Sequence, residues 1–140
     1  MHDLASLLIF SSPSFPRCRK DNEELANHET MHGYLLARYI GEGLRARGFG
    51  DVEFIGEDWG WYCAVPNEGF SLMYGVCNEE DSGFQIQFSP CKPFIRRWFT
   101  KIPVEDKVRA LQQAVFEILA AEPTRTDRPR WESNQAASSG

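Results

Sequence analysis

The sequence predicts a two-layer α+β domain in which two amphipathic helices lie on one face of a four-stranded antiparallel meander, in the order helix, four strands, helix. Three observations predict it. Phe84, Ile86 and Phe88 alternate with Gln85, Gln87 and Ser89, the period of a strand with one buried and one wet face. Leu36, Ile40 and Leu44 recur at the helical spacing i, i+4, i+8, and Val104, Val108, Leu111, Val115, Ile118 and Leu119 form a second such stripe. Turn residues separate the strand-like segments, so each strand folds back on the one before it.

The elements follow in chain order. Residues 1–27 form an N-terminal extension. Within it Leu4–Phe10 is apolar enough for a short strand or a helical turn, and Pro13 and Pro16 end it. Residues 17–24 are polar and read as a loop; Asp21 with Glu24 has capping-box spacing, and Asn27 or Thr30 suits the start of the next helix. That helix carries Leu36, Ile40 and Leu44, flanked by Leu35 and Tyr39. Arg45 and Arg47 favour its C-terminal end, and Gly48 stops it. Gly41 and Gly43 each cost roughly 1 kcal/mol inside a helix relative to Ala. A close approach of the helix backbone to the sheet accounts for them.

Asp51–Gly56 is the first strand of the meander. Trp59, Trp61, Cys63 and Val65 are expected on one face of the second, and Pro66–Gly69 turns the chain. Phe70, Leu72, Tyr74 and Val76 alternate along the third, and Asn78–Gly83 is the next turn. Pro90 and Pro93 end the sheet. A linker containing Arg96, Arg97 and Trp98 leads to Pro103, which opens the second helix, with Glu105 and Asp106 at its positive end. Pro123 stops that helix, Trp131 is a final anchor, and residues 132–140 read as a disordered tail. The domain therefore spans residues 1–131.

A chain of 140 residues has room for one core and not for a separate cofactor domain. A mean hydropathy of -0.42 argues against a membrane bundle. Cys18, Cys63, Cys77 and Cys91 make no C-x-x-C pair, and the apolar start lacks the basic residues of a signal peptide. The expectation is a cytoplasmic protein with reduced thiols. The net charge of -5 is unevenly spread. Residues 51–91 contain no Lys or Arg and eight acids: Asp51, Glu53, Glu57, Asp58, Glu68, Glu79, Glu80 and Asp81. Such a block projects negative potential toward basic partners.

Four clusters carry chemistry. His28-Glu29-Thr30-Met31-His32 spells H-E-x-x-H and locally resembles the zincin metallopeptidases. On a helix, His28 and His32 would share one face of a zinc ion and Glu29 would act as general base on its water. Leu35 and Arg38 stand where the metzincin extension wants Gly and His, and no third ligand is singled out among Glu42, Glu53, Glu57 and Asp58. The expectation is two solvent-facing or capping histidines near a helix start, with the zinc hydrolase as the alternative. Glu57-Asp58-Trp59-Gly60-Trp61 places acids beside aromatic residues at a turn, a composition suited to partner binding. Glu79, Glu80 and Asp81 form a second acidic turn. Lys92, Arg96, Arg97 and Lys101 interleave with Phe94, Trp98 and Phe99, so residues 92–101 are a candidate site for an anionic ligand or nucleic acid. The pI near 5.2 argues against nucleic acid as the main partner.

The run from Gly33 to Trp61, with Arg-Gly-Phe and then Glu-Asp-Trp-Gly-Trp, together with Pro-Phe-Ile-Arg-Arg-Trp-Phe, resembles a group of small bacterial proteins to which no activity is assigned. The resemblance spans roughly residues 30–131. It implies a compact bacterial domain and no reaction. The functional expectation is a protein-binding module without catalytic residues, of the inhibitor, immunity or anti-defence kind. It would meet a basic protein partner through Glu57, Asp58, Glu79, Glu80 and Asp81.

Overall fold

A computed structural model describes residues 4–25, 30–79, 82–89, 94–97 and 100–133. In chain order the elements are β1 (Leu7–Ser11), α1 (Arg19–Glu24), α2 (Tyr34–Ala46), β2 (Glu53–Glu57), β3 (Gly60–Val65), β4 (Leu72–Glu79), β5 (Gly83–Ser89), β6 (Phe94–Arg97), β7 (Thr100–Pro103), α3 (Glu105–Ala120) and β8 (Arg130–Glu132). The fold is α+β with an open antiparallel sheet. The sheet has six strands in the order β2-β3-β4-β5-β1-β8, and β6 and β7 form a separate two-stranded hairpin.

The meander over residues 53–89 is present with one register throughout. Cys63 pairs with Tyr74, and Tyr74 with Phe88; Trp61 pairs with Val76, and Val76 with Ile86. These side chains share the inner face and are buried, as are Phe84 and Leu8. Both predicted helical stripes reach the same core: Leu36, Ile40 and Leu44 from α2, and Val108, Leu111, Val115 and Leu119 from α3, are fully buried. Each such side chain removed from water contributes about 1.5–3 kcal/mol before entropy is counted.

The sheet is larger than the sequence predicts at both chain ends. Leu7–Ser11 is a strand between β5 and β8, with Leu8 opposite Ile86 on one side and Trp131 on the other. Leu8 and Phe10 are buried on the inner face and Ile9 on the opposite face, so the segment is apolar on both sides and lacks a period-2 signature. Glu132, expected in the tail, pairs with Leu7. Residues 134–140 lie outside the described residues. The expected linker before the second helix is the β6–β7 hairpin. Pro103 closes β7 and pairs with Phe94 instead of opening α3, which begins at Glu105 after Val104.

The two glycines inside α2 have different neighbours. A Cβ at Gly41 would lie 2.7 Å from the Phe54 ring, the expected approach to the sheet. At Gly43 it would lie 2.8 Å from Ile118 of α3, so this glycine serves helix–helix contact. Trp59 and Trp61 do not share a face. Gly60 between them has φ +148, and the Trp59 ring lies against Gly75 on the outer face while Trp61 is buried inside.

The polar segment read as a loop contains α1, and its Asp21 is fully buried. Its Oδ2 accepts the Cys18 backbone N–H at 3.0 Å, so the cap is closed within α1's own first turn and not with Glu24. Its Oδ1 accepts the Trp61 indole N–H at 2.8 Å and the backbone N–H groups of Gly33 and Tyr34 at 3.1 Å. The helix α2 therefore starts on a carboxylate from another element. Gly33 is its N-cap and has no side chain to offer; Thr30 does not cap it, and Asn27 lies outside the described residues.

Two measurements test this packing. Asp21→Ala leaves the buried Trp61 indole N–H and the amides of Cys18, Gly33 and Tyr34 without this acceptor. We expect a loss of about 3 kcal/mol or more in urea unfolding, and a smaller loss in Asp21→Asn, which keeps one oxygen acceptor. A loss under about 0.5 kcal/mol for Asp21→Ala would remove Asp21 from its structural role. The second concerns alkaline pH. Burial holds the Cys63 thiol and the Tyr74 hydroxyl protonated well above their ordinary values of 9.0 and 10.0. The unfolded chain ionises there while the folded chain does not, so stability is full below pH 9 and falls as pH rises through 9 and 10. The limiting slope is about 1.4 kcal/mol per pH unit for each group. Cys63→Ala should show a shallower fall between pH 9 and 10 than the parent; equal slopes would contradict the assignment.

Candidate functional site

Of the acidic block's described carboxylates, five lie at one end or along one edge of the sheet, and Glu68 lies in the β3–β4 connection at the opposite end. The β2–β3 hairpin closes on Glu57 and Gly60, leaving Asp58 and Trp59 as its two-residue turn. The β4–β5 hairpin closes on Glu79 and Gly83. Strands alternate in direction, so both turns lie at the same end of the sheet, two strands or roughly 10 Å apart. Glu57, Asp58 and Glu79 are exposed there. Glu79 accepts a hydrogen bond from the Gln85 side-chain amide. Glu80 and Asp81 lie outside the described residues.

The strand β2 is an edge of the sheet. Glu53, Ile55 and Glu57 point to its outer face, in register with Ala64, Tyr62 and Gly60 of β3, while Phe54 and Gly56 face inward. At 40% exposure Ile55 is the one exposed large hydrophobic side chain among the described residues. Glu53 and Glu57 flank it, both exposed. The sequence shows Glu53 as one acid of the block and does not single out Ile55; the Glu-x-Ile-x-Glu alternation is local, but which strand ends the sheet is not. Beyond them on the same face lie half-buried Tyr62 and Trp59. A shallow depression of about 310 Å³ borders Glu53, Tyr62, Ala64 and Phe70. On the inner side of the same edge a cleft of about 170 Å³ runs between α2 and β2, lined by Arg38, Gly41, Arg45, Asp51, Val52 and Phe54.

Electrostatics at this edge are one-sided. Asp51 pairs with Arg45 at 3.2 Å, drawing its counter-ion from α2. Among the described residues no Lys or Arg lies within 4 Å of the carboxylates of Glu53, Glu57 or Asp58.

The other predicted clusters are placed as follows. Thr30 to Gly33 precede α2 and are not helical, so the helical spacing that a zincin site requires is not made through this stretch. His32 is buried. Its backbone N–H donates to Asn78 Oδ1 at 2.9 Å, and its ring stands edge-on to Phe84 at 5.5 Å. His28 and Glu29 lie outside the described residues. Among the described residues no three His, Cys, Asp or Glu side chains gather as a metal site requires. Arg96 and Arg97 sit on β6, where Arg96 pairs with Lys101 and Arg97 with Thr100; Trp98 lies outside the described residues. Of the C-terminal cations, the Arg128 guanidinium lies 5.6 Å over the Phe116 ring and Arg130 pairs with Glu132 at 2.9 Å. Cys63 is buried and Cys77 half-buried on its strand. Among the described residues no helix is long and apolar enough to cross a membrane.

No protein-family model, no curated protein and no solved structure matches the chain.

Proposed function

We propose that the chain is a non-enzymatic protein-binding module that receives a basic partner on the acidic end of its sheet. One observation carries this reading. Two hairpin turns bring Glu57, Asp58 and Glu79 to the same end, exposed, in a segment from which Lys and Arg are absent. Acidic surfaces of this kind steer association with cationic proteins and set specificity more than raw affinity. An inhibitor, an immunity protein or an anti-defence protein acting on a basic nucleic-acid-binding target has this chemistry. Trp59 and Tyr62 on the adjoining face supply aromatic contact area of the kind that anchors interfaces.

A second reading has one observation in its favour. The register of β6–β7 sets Arg96 opposite Lys101, so two cationic positions adjoin on the hairpin. A phosphate-bearing ligand or a single-stranded nucleic acid at residues 92–101 fits that placement.

The test compares the parent with a triple reversal, Glu57→Lys/Asp58→Lys/Glu79→Lys, as baits in lysate from the native host at low and physiological ionic strength. Exposed turn substitutions usually move stability by less than about 0.5 kcal/mol, so both baits should be folded by circular dichroism. We expect a basic protein held by the parent, weakened by salt and lost from the triple variant. Equal retention by both baits would refute the acidic surface. Binding of an oligonucleotide that is lost in Arg96→Glu would shift the assignment to the hairpin.

A further inference from the structure

We infer that the edge of β2, which no described strand pairs, is a strand-addition site that takes an extended basic–apolar–basic segment of the partner protein. The inference rests on the acidic surface proposed above and specifies how it is used. In a two-residue hairpin the closing pair exchanges its hydrogen bonds, and the pattern alternates from there. With Glu57 and Gly60 as the closing pair, Glu53, Ile55 and Glu57 direct their backbone groups to β3. Phe54 and Gly56 direct theirs to the open edge, where no described residue bonds them.

Side chains on the two faces select the occupant. An added antiparallel strand sets residues directly opposite Glu53, Ile55 and Glu57, with Cβ atoms about 4.5–5.5 Å apart. Two cations opposite the glutamates and an apolar residue opposite Ile55 complement what is exposed there. On the other face, the residue opposite Phe54 enters the cleft of about 170 Å³ beside α2, which has room for one aliphatic side chain. A Cβ on Gly56 would lie 2.9 Å from Glu24 and 3.3 Å from Leu25, so the end of α1 crowds the inner face there and favours a small residue opposite Gly56. Strand addition of this type draws affinity from main-chain bonds and specificity from alternate side chains.

A second copy of this chain does not fit. The segment reads Glu-Phe-Ile-Gly-Glu, so antiparallel self-pairing centred on Ile55 sets Glu53 of each copy opposite Glu57 of the other. Like charges directly opposite one another oppose pairing, as edge-strand charges commonly do. The same two charges that repel a copy attract a basic strand.

The experiment uses fluorescence anisotropy with a labelled peptide, Thr-Lys-Ser-Val-Leu-Lys-Thr, in which Ser and Leu fall opposite Gly56 and Phe54. Three further peptides accompany it: a scrambled one with adjacent lysines, one N-methylated on Ser and Leu, and one N-methylated on Val, whose N–H faces away. The proteins are the full-length parent, Glu53→Lys/Glu57→Lys and Asp127→Lys, an exposed reversal beside the opposite edge strand β8, each checked for fold. We expect the parent to bind the first and the Val-methylated peptides at least about tenfold more tightly than the other two. We expect Glu53→Lys/Glu57→Lys to lose that preference and Asp127→Lys to keep it. Equal binding of all four peptides, weakened in Glu53→Lys/Glu57→Lys, would overturn strand addition and leave the acidic surface standing. No binding by the parent to any peptide would overturn the strand site, while the acidic surface is judged by its own partner.

Discussion

The Asp21 carboxylate is where three elements of the inner layer meet. It sits on α1, closes that helix's own first turn through Cys18, and receives the first amides of α2 and the Trp61 indole of β3. Its dependents have few alternatives. The helix α1 is six residues long, far short of the roughly 12–15 that an isolated helix needs. The helix α2 begins at a glycine and must borrow an acceptor for its N-terminal amides, and the positive end of its dipole favours a borrowed negative charge. Trp61, fully buried, needs an acceptor for its N–H. One side chain serves all three, in a place where leaving any one of them unpaired is costly.

That joint settles which face of the sheet is interior, and thereby what is left outside. With α1, α2 and α3 all on the inner face, Phe54, Cys63, Tyr74 and Phe88 are enclosed in register. The segment before α2 is tied down by Asn78, which accepts from the His32 amide and donates to the Thr30 carbonyl. Of the sheet's two edge strands, β2 then combines outward backbone groups, an exposed isoleucine and the carboxylates of Glu53 and Glu57, which among the described residues have no Lys or Arg within 4 Å. The proposed function lives on this second link, in charge and edge geometry, and no catalytic grouping is needed for it.

The parts of the fold that could be read from the sequence are those in which one face is wet and the other dry. The alternation at Phe84, Ile86 and Phe88 and the stripes at Leu36–Leu44 and Val104–Leu119 have that contrast, and their inward direction holds. Leu7–Ser11 lacks it because Ile9 is buried on the face opposite Leu8 and Phe10. Trp59 escaped because alternation was carried through Gly60, whose backbone breaks it. Asp21 looked like a surface cap since its partners lie 12, 13 and 40 residues away. The acids at 57, 58 and 79 were visible as residues, but their common end of the sheet is a property of strand pairing and appears in no local pattern.

The central claim is a rigid joint at Asp21 beside an open edge at β2, and amide hydrogen exchange followed by NMR reads both in one sample. The account predicts that the amides of Gly33 and Tyr34 and the indole N–H of Trp61 exchange only with global unfolding, whereas the amides of Phe54 and Gly56 exchange orders of magnitude faster. Rapid exchange at Gly33, Tyr34 and the Trp61 indole, or protection at Phe54 and Gly56 equal to that of the central strands, would contradict it.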